Sequence, residues 1–137
     1  MSRTYIPAYL RRLVQERVLN RCEYCRVHEE DVLLPHQPDH IIAEQHGGKT
    51  EENNLALACV QCHLPKGPNI ASIDFQTGQL MPLFNPRKDV WEEHFKLEEA
   101  VIVPLTPVGR VTARLLMFNE FDRIQLREKL IKTGRYL

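Results

Sequence analysis

The sequence contains no long apolar run. Stretches such as residues 100–105 fall far short of the roughly 20 residues that cross a hydrocarbon core, which excludes a helical membrane span. It has no net charge either, with 18 Lys and Arg against 18 Asp and Glu, so no overall field draws it to a polyanion or a membrane surface. Internal repeats, low-complexity segments and obvious linkers are all missing, which leaves out solenoids and strings of modules. No helix-turn-helix or tandem-finger pattern is evident, so no sequence-reading module is expected. The opening MSRTYIPAYLRRLVQER shows neither an apolar core region nor a small-residue cleavage site, and is expected not to be a secretory signal. A cytoplasmic chain is the expectation.

What is there suits one globular domain spanning 1–137: the 137 residues are 43% hydrophobic and 26% charged, with a mean hydropathy of -0.36. The neutral total hides an uneven distribution. Residues 1–28 hold six arginines against two acids, residues 29–58 one lysine against seven acids, and residues 110–137 seven basic groups against three acidic. Basic ends around an acidic middle suit polyanion-gripping flanks around a cation-binding centre, and equally suit charge partitioned between solvated helices.

Cysteine occurs four times, as Cys22, Cys25, Cys59 and Cys62, in two C-x2-C knuckles, RCEYCR and ACVQCH, 33 residues apart. In a reducing compartment disulfides are disfavoured, and two matched knuckles supply the four thiolates of a tetrahedral structural zinc site. The intervening loop is longer than in a short zinc ribbon, so something sizeable packs between the knuckles.

The pattern around the knuckles predicts mixed α and β. Pro7 opens a helix whose apolar positions Tyr9, Leu10, Leu13, Val14 and Val18 recur at helical spacing up to Asn20, delivering Cys22. Val32, Leu33 and Leu34, and the pair Ile41 and Ile42, flank a stretch broken by Pro35 and Pro38 and predict two short strands. Residues 50–57 read as a short helix or an extended lead into the second knuckle. A hairpin is predicted over 73–84 around a Thr-Gly turn, and a second over 94–105. Thr106 before Pro107 caps a helix reaching about Phe118, and another runs from Glu120 to Thr133, closed by Gly134.

Between and just after the knuckles stand Asp39 and His40 in PDHI, Asn54 in NNL and His63 in CHLPKG, with 13 residues separating His40 from Asn54 and eight separating Asn54 from His63. These residues resemble the HNH endonuclease family, specifically its zinc-bearing branch, over about 21–67. The resemblance implies a fold class of α+β, a ββα-metal core stapled by a four-cysteine zinc site, here with an added hairpin region and C-terminal helices over about 71–137. It implies a metal-dependent endonuclease that hydrolyses DNA, expected double-stranded, to 5′-phosphate and 3′-hydroxyl ends. Asp39 and His63 would hold a catalytic Mg2+, Mn2+ or other divalent cation, His40 would be the general base, and Asn54 would orient His40 directly or by pinning the loop.

The chemistry calls for those residue types: phosphodiester hydrolysis needs an activated water, a cation against the phosphate and leaving oxygens, and in-line geometry. A hard carboxylate oxygen and one imidazole leave open positions for phosphate and water. As strand neighbours, Asp39 and His40 are expected on opposite faces. Alternatives stay open: His63 as a replacement zinc ligand, Asn53 in place of Asn54, and His28, His36 and His46 as extra ligands or solvated loop residues. Lys49, Lys66, Arg87 and Lys88 are candidate phosphate contacts, or merely solvent-exposed cations. Arg110, Arg114, Arg123 and Arg127 read as one basic helical face, Arg11, Arg12 and Arg17 as another, and Trp91, His94 and Phe95 as part of a small core. A catalytically inactive zinc-dependent nucleic-acid-binding module and a zinc-stabilised protein-interaction domain are the alternative functions.

Overall fold

The computed structural model describes residues 5–136. Helix α1 (Ala8–Glu16) starts after Pro7 and turns Leu10 and Val14 inward onto Ile6, Leu55 and Leu57, which together form a small core of their own. It stops about a turn earlier than its apolar spacing predicts. The chain leaves through a turn in which Leu19 and Asn20 take φ of 52° and 60°, a backbone region that ends helices.

The centre is a ββα unit. Strand β1 (Gln37–His40) pairs antiparallel with β2 (Leu55–Ala58) in the register Gln37↔Ala58 to His40↔Leu55, and helix α2 (Val60–Lys66) follows one residue later. Strand β2, with sequence LALA, is buried on both faces: Leu55 and Leu57 meet α1, while Ala56 and Ala58 meet the core that holds the cysteines. The strands expected at 32–34 and at Ile41 and Ile42 are not formed. A single 3-10 turn, Glu29–Asp31, lies just before the first of these, Leu33 is fully solvent-exposed, and the strand falls on the proline-bearing segment between them. Pro38 is tolerated because β1 belongs to a two-stranded sheet and every strand of such a sheet is an edge. Residues 50–57 resolve into both options: a helical turn, Glu52–Asn54, and then β2.

Both predicted hairpins are present, as β3 (Ala71–Ile73) with β4 (Leu80–Pro82) and β5 (Phe95–Glu98) with β6 (Val101–Pro104), the second entered through a single helical turn, α3 (Trp91–His94). Helices α4 (Pro107–Leu115) and α5 (Phe121–Lys132) close the fold. The Thr106 Oγ1 accepts from Gly109 N at 3.0 Å, so the predicted cap is formed. Trp91 and Phe95 enter the main core with Tyr24, Phe84 and Phe118, and Trp91 Nε1 donates to Tyr24 O at 2.8 Å. That core is continuous with the four cysteines, so the C-terminal elements are built onto the knuckles.

The four arginines of the last two helices do not form one basic face. Arg110 forks onto Asp74 with both bonds at 2.9 Å, holding that carboxyl well below the usual range, and Arg114 donates to Ser72 Oγ and Ile73 O. Arg123 and Arg127 are buried. Arg17 of the predicted N-terminal face likewise donates to Glu52 O at 2.8 Å and to Leu55 O. Among the described residues no helix is long and apolar enough to cross a membrane.

Candidate active site and metal centre

The first knuckle is a tight turn: Cys22 N donates to Val27 O and Arg26 N to Cys22 O, both at 2.9 Å, with Arg26 at φ 71°. The second begins where Cys59 precedes α2, and Cys62 lies in that helix's first turn. Strand β2 joins them by bringing Cys59 back alongside the first turn, where Glu23 N donates to Leu57 O at 2.8 Å. The four sulfurs come within 4.8 Å of one another, all buried and none in a disulfide. Among the described residues this is the one group of three or more His, Cys, Asp or Glu side chains placed to hold a metal. Burial pushes the Cys22 and Cys62 thiols up, while hydrogen bonds from Cys22, Cys59 and Cys62 pull Cys25 down. Four soft, converging sulfurs shut away from water are the donor set of a closed tetrahedral zinc site.

A second group of side chains lies at the open side of the ββα unit. Asp39 projects from β1 toward α2, where His63 Nδ1 stands 3.1 Å from its Oδ1. One turn further along α2, Lys66 Nζ stands 3.0 Å from Oδ2 and donates to His40 O at 2.9 Å. Positions 63 and 66 reach the same carboxylate because residues three apart share a helix face. Asp39 Oδ2 is buried and accepts no aligned hydrogen bond. The His40 ring has a different partner, with Nε2 2.8 Å from Thr50 Oγ1. Asp39, His40 and His63 nevertheless line one cavity of about 580 Å³, which Arg11 and Glu44 also line.

Asn54 is buried and its amide is saturated by backbone. Nδ2 donates to Ile42 O at 2.9 Å and Lys49 O at 2.8 Å, and Oδ1 accepts from Ile42 N at 2.9 Å. These bonds staple the two ends of the loop that follows His40. They go to the loop and not to the His40 ring.

Residues 22–69 match the HNH endonuclease family. This segment is an HNH domain. Comparison of the chain with curated proteins and with solved structures returns no match. The HNH domain runs from the first cysteine through α2, and its four-cysteine cluster fits the zinc-bearing branch of the family. HNH domains are nuclease-like or nucleic-acid-binding units and generally bind DNA, and this one's cysteines are suited to zinc. The two later hairpins, α4 and α5 lie outside the match.

The predicted phosphate contacts fall into two kinds. Lys49 and Lys88 are exposed. Lys66 is buried, its ammonium engaged by Asp39 and the His40 carbonyl. Arg87 pairs with Glu23, and burial together with the nearby charge of Arg17 brings its guanidinium down to about 10. His36 is buried with Nε2 2.9 Å from Val27 O, and His28 Nδ1 accepts from Glu30 N, so both serve the backbone around the first knuckle. Sequence reasoning missed Thr50 as the partner of His40, for which a lone threonine in a polar loop gave no signal.

Gly48 shows how closely the loop of the HNH domain is packed. A Cβ there would lie 1.7 Å from Ile42 O and 2.8 Å from Asn54 Nδ2, so any side chain displaces the staple. Gly48→Ala is expected to raise hydrogen exchange at Ile42 and across 43–49 at least tenfold, while the pairing of β1 with β2 stays protected. Unchanged exchange in the loop would contradict this reading of Asn54.

Proposed function

We propose that this chain is a metal-dependent endonuclease that hydrolyses double-stranded DNA, acting as one unit over 1–137 in the cytoplasm. The observation that carries the reading is the contact of Asp39 with His63 in a cavity that His40 also lines. Asp39 and His63 would hold a divalent cation, Mg2+ or Mn2+, which supplies positive charge to the scissile phosphate and the departing 3′ oxygen. The donor set fits such an ion: one carboxylate and one imidazole in contact, with space beside them for phosphate and water.

With its Nε2 proton given to Thr50 Oγ1, the His40 ring keeps the lone pair on Nδ1. There it takes a proton from the attacking water as that oxygen bonds to phosphorus. The bond from phosphorus to the 3′ oxygen breaks, the leaving oxygen takes a proton from solvent, and the products are a 5′-phosphate and a 3′-hydroxyl. Asn54 fixes the loop after His40, and Lys66 fixes the His40 carbonyl, so the ring is held from both directions. Lys49 and Lys88 are the exposed cations in this reading and meet phosphates without reading bases.

Zinc-loaded protein is expected to nick and then linearise supercoiled plasmid in Mg2+ or Mn2+, and Asp39→Asn to lose the activity without losing zinc. One observation favours a second reading. The Lys66 ammonium already neutralises Asp39, as in a zinc-stapled DNA-binding module with no catalytic cation. Salt-sensitive DNA binding with no cleavage in any divalent metal would support that module over the enzyme.

A further inference from the structure

Arg123 lies in the first turn of α5, beyond the HNH domain, and reaches into the sulfur cluster. Its Nη2 is 3.0 Å from Cys62 Sγ. Its Nη1 donates to Leu116 O at 2.7 Å, the carbonyl of the residue that caps α4, to Met117 O at 3.0 Å, which also accepts from Glu120 N at 3.5 Å, and to Gln61 O at 3.3 Å. The Gln61 carbonyl is available because the residue four positions on is Pro65, which has no N–H to offer it. One guanidinium therefore closes α4, closes a gap in α2 and touches a sulfur, all while only 5% exposed. Tyr136 adds a second tie from the same end of the chain, its hydroxyl donating to Cys25 O at 2.5 Å.

Four thiolates around one dication leave two negative charges in a site where the cysteines are at most 3% exposed. An unpartnered buried charge is expensive, so cations must come from the protein. Arg123 makes the direct contact, and Arg127, one helical turn on and equally buried, adds a second positive charge to the same helix face.

We propose that Arg123 is the counter-charge of the four-cysteine centre, so that metal loading of the knuckles and docking of α5 are one coupled event. The proposal rests on a metal at the sulfurs and is independent of the nuclease reading. Arg123 acts through Cys62 and is a positioning residue. Outer-shell hydrogen bonds of this kind typically alter metal affinity about 10- to 100-fold.

The test is the free zinc concentration at which folding is half complete, set with a chelator buffer, so that a variant unfolded without metal is read on the same scale. R123Q, which can still hydrogen-bond but is uncharged, is expected to raise that concentration about 10- to 100-fold. R123K, which keeps the charge, is expected to recover at least half of the loss on a logarithmic scale. In the cobalt-loaded protein, R123Q is expected to move the sulfur-to-cobalt charge-transfer band to lower energy, because the sulfur loses a positive neighbour. Stripping zinc from the unaltered chain is expected to abolish exchange protection of α5 together with that of the knuckles. R123Q matching the unaltered protein in zinc requirement, or R123K proving as poor as R123Q, overturns the counter-charge. An α5 that stays protected after zinc removal overturns the coupling.

Discussion

His40→Ala is expected to lower the rate of plasmid cleavage by about 10²- to 10⁴-fold, the usual contribution of a positioned general base, with zinc content and melting behaviour close to the unaltered chain. The separation of activity from stability follows from how the residue is held. What ties His40 to the rest of the fold is backbone: the pairing of β1 with β2 and the bond from Lys66 Nζ to its carbonyl, neither of which needs the ring. The ring itself has one polar partner, Thr50 Oγ1 at 2.8 Å. Thr50→Val is accordingly expected to give a smaller loss than His40→Ala, since it frees the ring to rotate but leaves the imidazole present. Cleavage assays in Mg2+ and in Mn2+, alongside thermal melts, check both. A His40→Ala protein that cuts at the original rate would remove the base from the mechanism.

Removal of zinc is expected to unfold the centre of the molecule and abolish cleavage, although Asp39, His40 and His63 remain in the chain. Structural zinc contributes on the order of 10–16 kcal/mol in small zinc-dependent units, comparable to or greater than the whole stability of an ordinary domain. Here the cysteines also organise the site directly. Cys59 O accepts the backbone N–H groups of Cys62 and His63, so α2, and with it the contact between His63 and Asp39, begins at a metal ligand. Cys59→Ser should therefore behave as chelation does: loss of near-ultraviolet circular dichroism, loss of a cooperative melt, and no cleavage at any Mg2+ concentration. A chelated sample that keeps its full cooperative transition would show that the sulfurs do not hold this fold together.

The parts legible in the sequence were those whose physics is local. Two C-x2-C spacings bring thiolates to one metal whatever lies between them. Thr106 before Pro107 marks a helix start through a bond that closes within three residues, and a Thr-Gly turn marks β3 and β4. The strand at 32–34 failed because an apolar run alone does not name a partner; β2 pairs with the polar, proline-bearing Gln37–His40, and Leu33 is left in solvent. Charge misled in the same way. Lys66 and Arg123 read as surface cations because the groups that bury them, Asp39 and the sulfurs of the knuckles, lie 27 or more residues away in sequence. The proposed site of Asp39, His40, Asn54 and His63 rests, in the sequence, on residue types in a spacing. The division of labour among Asn54, Thr50 and Lys66 around His40 appears only in three dimensions.

The central claim is that the chain has two metal positions of different chemistry, one made of sulfur and built into the fold, the other proposed at Asp39 and His63 and open to a phosphate. Anomalous diffraction at the zinc and manganese edges, from crystals of zinc-loaded protein soaked in Mn2+, tests it most directly. The account predicts zinc bound by Cys22, Cys25, Cys59 and Cys62, and manganese at Asp39 and His63 within the cavity that His40 lines. A single metal position, or manganese found anywhere but beside Asp39 and His63, would contradict it.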